Sequence, residues 1–259
     1  MSHIHLPDGL LPLWLWLGGY LLTALIVGLL FRRREGEGDA RRFALLGAFA
    51  ALMLLVMSIV IPPFYHANLS VVTGIVLGPA LGILAAFIVN LLLALMGHGG
   101  ITVVGVNMLP LMVEILAGYG LFLLLRRLRL PLFGAGMLAV VVGLMLGTAA
   151  SYGILTLGAP SINRTMQMEH AHEHGEEHGD EHGDEDGHAP SAVERASAGG
   201  RLNLGRLAVL MFGVGAVGWV LEGVLGGAVL AMLDRMFPAM LPGRRRREEP
   251  EEEASDAPV

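Results

Sequence analysis

The sequence predicts an all-α, polytopic membrane bundle of about seven segments, two of them short, with the N-terminus outside. Three observations carry this. The 259 residues are 54% hydrophobic and only 15% charged, too apolar for an ordinary soluble domain. Several apolar runs approach or exceed the roughly 20 residues that cross a bilayer as helix. The basic residues, all 17 of them arginine, gather in clusters between those runs, which orients the chain by the excess of positive charge on the cytoplasmic side.

The first apolar segment covers 10–31, with Trp14, Trp16 and Tyr20 near its start, where aromatic rings suit a membrane interface. No basic stretch precedes it, so no cleavable signal peptide is expected. Arg32-Arg33-Arg34 and Arg41-Arg42 follow and mark the cytoplasm. The N-terminus therefore faces out. Residues 43–62 return, and Pro62-Pro63 should end that helix, since proline lacks the N–H and crowds the preceding turn. Small residues recur one turn apart here, at Ala44, Gly47, Ala48 and Ala51. They suit close helix contact, with packing inside the chain favoured over a partner surface.

Residues 69–96 would span roughly 42 Å as a single helix, long for a core of about 30 Å. Gly78-Pro79 sits in the middle. A single pass would put Arg126, Arg127 and Arg129 outside. A break at Gly78-Pro79, giving two short passes or a re-entrant pair, puts them inside, and we adopt it. Such broken helices are tolerated where protein or a cavity surrounds them. Residues 101–125 descend to the arginine cluster, 131–157 rise, and 204–233 descend to Arg244–Arg247. The membrane domain is thus 1–157 with 204–235. An external linker covers 158–203, and a cytoplasmic tail covers 244–259, acidic and proline-bearing from 248, of the kind that stays unfolded.

The polar chemistry collects in the breaks between segments. His3 and His5 precede the first segment, His66 follows Pro62-Pro63, and His98 stands among glycines in Gly97-His98-Gly99-Gly100. By the topology above all four face outward. With no cysteine in the chain, thiolate sites and disulfides are excluded. A metal site must use imidazole, carboxylate, backbone or the terminal amine. An amine, the first amide nitrogens and an imidazole within three residues form a nitrogen-rich chelate that suits Ni²⁺ or Cu²⁺. Removal of Met1 makes Ser2 the amine donor, with His3 second; with Met1 retained His3 is third, and either register can chelate through amine, amide nitrogen and imidazole. A solvated terminus with incidental histidines is the plain alternative, and isolated loop histidines at 66 and 98 are more often merely hydrated. The glycines around His98 permit positive φ, as a tight binding loop or simple helix packing would need.

Asn107, Glu114 and Glu222 interrupt apolar runs. Such residues mark either function or a buried helix–helix hydrogen bond, and both readings stand. Residues 169–188 hold six of the ten histidines among many carboxylates. This tract cannot build a core; it would concentrate divalent ions near the outer mouth or simply be a solvated acidic loop. No Walker-type phosphate loop and no nucleophile–base pair is visible, so neither ATPase nor other enzyme activity is expected, and no nucleic-acid binding or cofactor.

Three stretches, His5-Leu6-Pro7-Asp8-Gly9-Leu10-Leu11-Pro12, His66-Ala67-Asn68-Leu69-Ser70 through Thr73-Gly74 to Gly78-Pro79, and Gly97-His98-Gly99-Gly100-Ile101-Thr102 through Gly105 to Asn107, together resemble the CbiM/NikM family. Those proteins are the membrane substrate-capture components of energy-coupling-factor cobalt and nickel transporters. The resemblance covers roughly 3–235 without the histidine-rich insert. It implies uptake of Co²⁺ or Ni²⁺, in the cobalt case in service of cobalamin biosynthesis. A prokaryotic plasma-membrane location is implied, with a transmembrane coupling subunit, ATPase subunits and, in some systems, a small auxiliary membrane subunit. It also implies that the terminal amine and an early histidine join His66 around the ion. Alignment on Pro7-Asp8-Gly9 makes that early residue His5; alignment on a free amine at Ser2 makes it His3. His98 falls at a recurrent supporting position. The rival function is a self-contained secondary carrier for Zn²⁺ or Ni²⁺ with Glu114 and Glu222 as proton-coupled groups.

Overall fold

The computed structural model describes residues 11–32, 40–58, 60–61, 65–97, 99–173, 203–237 and 241–242. They form seven helices and one minute ribbon. Helix α1 is Leu13–Arg32 and α2 is Ala40–Ser58. Strands β1 (Val60–Ile61) and β2 (Tyr65–His66) pair antiparallel, Val60 opposite His66. Helices α3 (Ser70–Leu77), α4 (Pro79–Leu95), α5 (Val104–Arg127) and α6 (Leu132–Glu173) follow. The last, α7, is Leu204–Met236, with a π-helical stretch at Val209–Val214. Four of these, α1, α5, α6 and α7, are long and apolar enough to cross a membrane.

The expected break at Gly78-Pro79 is present. Gly78 sits at φ 85°, ψ 160°, a region in practice open only to glycine, and Pro79 opens α4. The chain reverses there. A Cβ placed on Gly82 would lie 2.6 Å from the Gly74 Cα, so the residues four before and four after the break touch. Thus α3 and α4 form a helical hairpin. The eight residues of α3 reach only about 12 Å, and seven of them are buried. This half-helix lies inside the bundle and does not traverse it.

The long helices α5, α6 and α7 pack antiparallel in sequence order. Gly118 of α5 abuts the Ala139 carbonyl, while Gly143 of α6 abuts the Glu114 carbonyl. On the other face of α6, Gly136 meets Leu230 and Met137 meets Gly223 and Gly227 of α7. Small residues bring the backbones close, which in a bilayer substitutes for hydrophobic driving force. The α5–α6 turn is a Schellman closure: Leu130 N–H donates to the Leu125 carbonyl and Arg129 N–H to that of Arg126. Arg129 takes the left-handed position usually given to glycine, at φ 64°.

Three expectations need correction. First, α2 ends at Ser58, four residues before the anticipated 62, and the chain enters the ribbon instead. Second, α6 does not stop at 157 but runs on to Glu173. Leu155, Ala159 and Ile162, at helical spacing, bury an apolar stripe against Leu11, Val103 and Leu207. That burial outweighs the hydrogen bond Pro160 denies to the Thr156 carbonyl. The first residues assigned to the linker therefore belong to the packed body. Third, the small-residue stripe of α2 packs against nothing among the described residues. Ala44, Ala48 and Ala51 are exposed and nothing stands within 4 Å of where a Gly47 Cβ would be. The helix instead buries Leu46, Ala50, Met53 and Met57. The histidine–acidic tract beyond Glu173, and the tail from 243, lie outside the described residues.

Candidate metal-capture site

The ribbon delivers the chain from His66 into α3, and the entry is fixed by a buried carboxylate. Asn68 Oδ1 accepts the Ser70 N–H at 2.8 Å, an Asx-type turn that opens the helix. Asn68 Nδ2 donates to Glu114 Oε2 at 2.6 Å and Ser70 Oγ donates to the same oxygen at 2.8 Å. All three residues are buried, Glu114 completely. Room for the carboxylate comes from α6, where any side chain on Gly147 would collide with Glu114 Cγ and Oε1. Glu222 of α7, also buried, stands within electrostatic reach. One side chain thus ties α3, α5 and α6 together beneath the strand that carries His66.

A second assembly surrounds the His98 loop. Gly97 and Gly99 both adopt positive φ, 83° and 117°, as the glycine pattern suggests. The following residues are strapped down from two sides. From α1, the Tyr20 hydroxyl donates to the Ile101 carbonyl and Thr23 Oγ1 to that of Gly105. From α4, Asn90 Nδ2 donates to the Val104 carbonyl at 3.3 Å. Asn107 is buried on the first turn of α5. The segment after the opening motif joins this region, since Leu11 and Val103 share a cluster with Leu155, Ala159, Ile162 and Leu207.

Ser2, His3, His5 and His98 lie outside the described residues, and of His66 the structure describes the backbone. Leu11 and Val103, six and five residues beyond His5 and His98, come together. Asn68, two residues beyond His66, is fixed on Glu114. Among the described residues no three His, Asp or Glu side chains gather as a metal cage. Sequence reasoning singled out Glu114 but missed its partners. The signal available was Asn68-Leu69-Ser70, a turn-and-cap pattern opening a run too apolar to leave a carboxylate partner far away.

The family model for the cobalt uptake substrate-specific transmembrane region matches residues 5–240. The chain belongs to this family. The match contains His5, His66 and His98 and begins after His3. A protein of Haloquadratum walsbyi named for metal transport is 37% identical over 136 residues, 49% of this chain and 61% of its own length. The cobalt transport protein CbiM of Clostridium cellulovorans is 29% identical over 136 residues, 52% of its length. The matched stretch therefore spans between half and three-fifths of these relatives. Two solved structures of a transition metal transporter, one truncated, superpose with a TM-score of 0.67 at 18% identity. Both alignments cover 90% of this chain, with 99% of the truncated protein and 93% of the other. At that identity they show a shared fold. As a member of the cobalt uptake family, the chain is a multi-pass membrane protein.

Proposed function

We propose that the chain is the substrate-capture membrane component of an ATP-driven energy-coupling-factor importer for Ni²⁺ or Co²⁺. It acts in a prokaryotic plasma membrane with its N-terminus outside. It makes and breaks no covalent bonds. A transmembrane coupling subunit and ATPase subunits supply the work, with a small auxiliary membrane subunit where the system has one. The ion is held by the amine and amide nitrogens at Ser2, an imidazole from His3 or His5, and His66, with His98 in support. Imidazole and amide nitrogen suit late first-row divalent ions better than oxygen-preferring Mg²⁺ or Ca²⁺.

The observation that carries this reading is the family match over 5–240, a range that includes His5, His66 and His98. The anchoring of the residues after His66 on Glu114 supports it, because a merely solvated loop has no need of a fully buried carboxylate to hold it. The test is radiolabelled Ni²⁺ and Co²⁺ uptake in cells that depend on this chain and its partners. Replacing a supporting residue of a metal site typically lowers affinity 10–100-fold, so loss of a ligand in His66→Ala should abolish uptake at scarce metal. Undiminished uptake by that variant refutes the site.

A further inference from the structure

We propose that Glu114 is a positioning residue for the metal site: by accepting from Asn68 and Ser70 it sets where the strand bearing His66 stands. The inference rests on His66 being a ligand.

The geometry is economical. Both donors come from one three-residue stretch, and both converge on Oε2, at 2.6 and 2.8 Å. The Asx turn between Asn68 and Ser70 makes that stretch a single rigid unit. Two residues upstream, His66 is paired through the ribbon to Val60, so the segment is held at both ends. Glu114 Oε1 has no hydrogen-bond partner among the described residues, so what the site draws from this side chain is one acceptor oxygen. Helix packing alone does not require a carboxylate there. An apolar residue of similar volume would fill the space left by Gly147 and avoid burying a polar group. The acceptor is needed by Asn68 and Ser70, and those residues govern the approach to His66. A chelate built from the chain's first atoms and an imidazole some sixty residues later closes only if that imidazole is fixed in place, since misplacement by about 1 Å weakens a preorganised site.

The test uses the full chain purified in detergent, titrated with Ni²⁺ by calorimetry, with the visible absorption of the Ni²⁺ form and thermal unfolding recorded alongside. Four variants are compared. Glu114→Leu removes the acceptor and should weaken Ni²⁺ binding about 10–100-fold and shift the absorption band. Glu114→Gln keeps a carbonyl oxygen for the same two donors and should bind within about threefold of the parent, with its band unmoved. Ser70→Ala removes one donor, disturbs folding least, and should weaken binding severalfold, which keeps the test open if Glu114→Leu does not fold. His66→Ala should lose binding altogether. If His66→Ala loses binding while Ser70→Ala and Glu114→Leu match the parent in affinity and spectrum, the positioning role is overturned and the site stands. Equal impairment of Glu114→Gln and Glu114→Leu overturns it too, since charge would then be what matters. Full affinity in His66→Ala overturns the site and the inference with it.

Discussion

A carboxylate within an apolar helix is tolerated when its lone pairs are taken and space is made for it. For Glu114 the space is made by Gly147 on α6, and Asn68 and Ser70 beside the start of α3 satisfy Oε2, while Oε1 has no hydrogen-bond partner among the described residues. The sequence marks Glu114 as unusual but leaves its role open, and its mid-run position makes it no obvious metal ligand beside the outward histidines. Its partners come from another direction. The segment after His66 dips into the bundle as a half-helix, which brings Asn68 and Ser70 to the depth of Glu114 along α5. The fit at Gly147 is tight enough to test. Gly147→Ala should lower thermal stability in detergent by about 1–3 kcal/mol, the range for forcing extra volume into a packed core. Gly153→Ala on the same helix, where nothing stands within 4 Å, should not lower it. Equal responses would mean that the space beside Glu114 is not limiting.

At the scale of elements, the break at Gly78-Pro79 was legible because three signals agree: a run too long for one pass, a proline, and the residue best able to turn the chain before it. Where signals conflicted, the boundaries moved. The helix expected to end at 157 runs past Pro160 because the stripe Leu155, Ala159 and Ile162 is buried, and burial of three apolar side chains exceeds the loss of one hydrogen bond. Proline at 62 and 63 marks the correct region for the end of α2 but not the ribbon that replaces its last turn. The α3–α4 hairpin supplies a backbone prediction. Gly78→Ala must hold a Cβ at φ 85°, ψ 160° and should cost about 1–3 kcal/mol, read as a lower unfolding midpoint. Because α3 leads back to Asn68 and Ser70, the variant should also weaken Ni²⁺ binding. A neutral result on both counts would mean the hairpin can form with a different reversal.

For the whole molecule, the helix order in space sorts the arginines. Arg126, Arg127 and Arg129 sit at the α5–α6 turn. Arg235 closes α7 at the same end, where Leu230 packs on Gly136. Arg164 and Arg206 lie at the opposite end, beside the cluster that joins Leu11, Val103, Ile162 and Leu207. In the orientation proposed above, which follows the positive-inside rule, the α5–α6 turn faces the cytoplasm and the cluster beside the opening and third motifs faces outside. A chain without cysteine allows this to be read one thiol at a time. Arg206→Cys and Arg127→Cys both replace exposed side chains. In intact cells a membrane-impermeant maleimide should label the first, and should reach the second only after permeabilisation. The reverse pattern would place the histidine-bearing breaks on the cytoplasmic side, where they could not take metal from outside, and import as proposed here would be untenable.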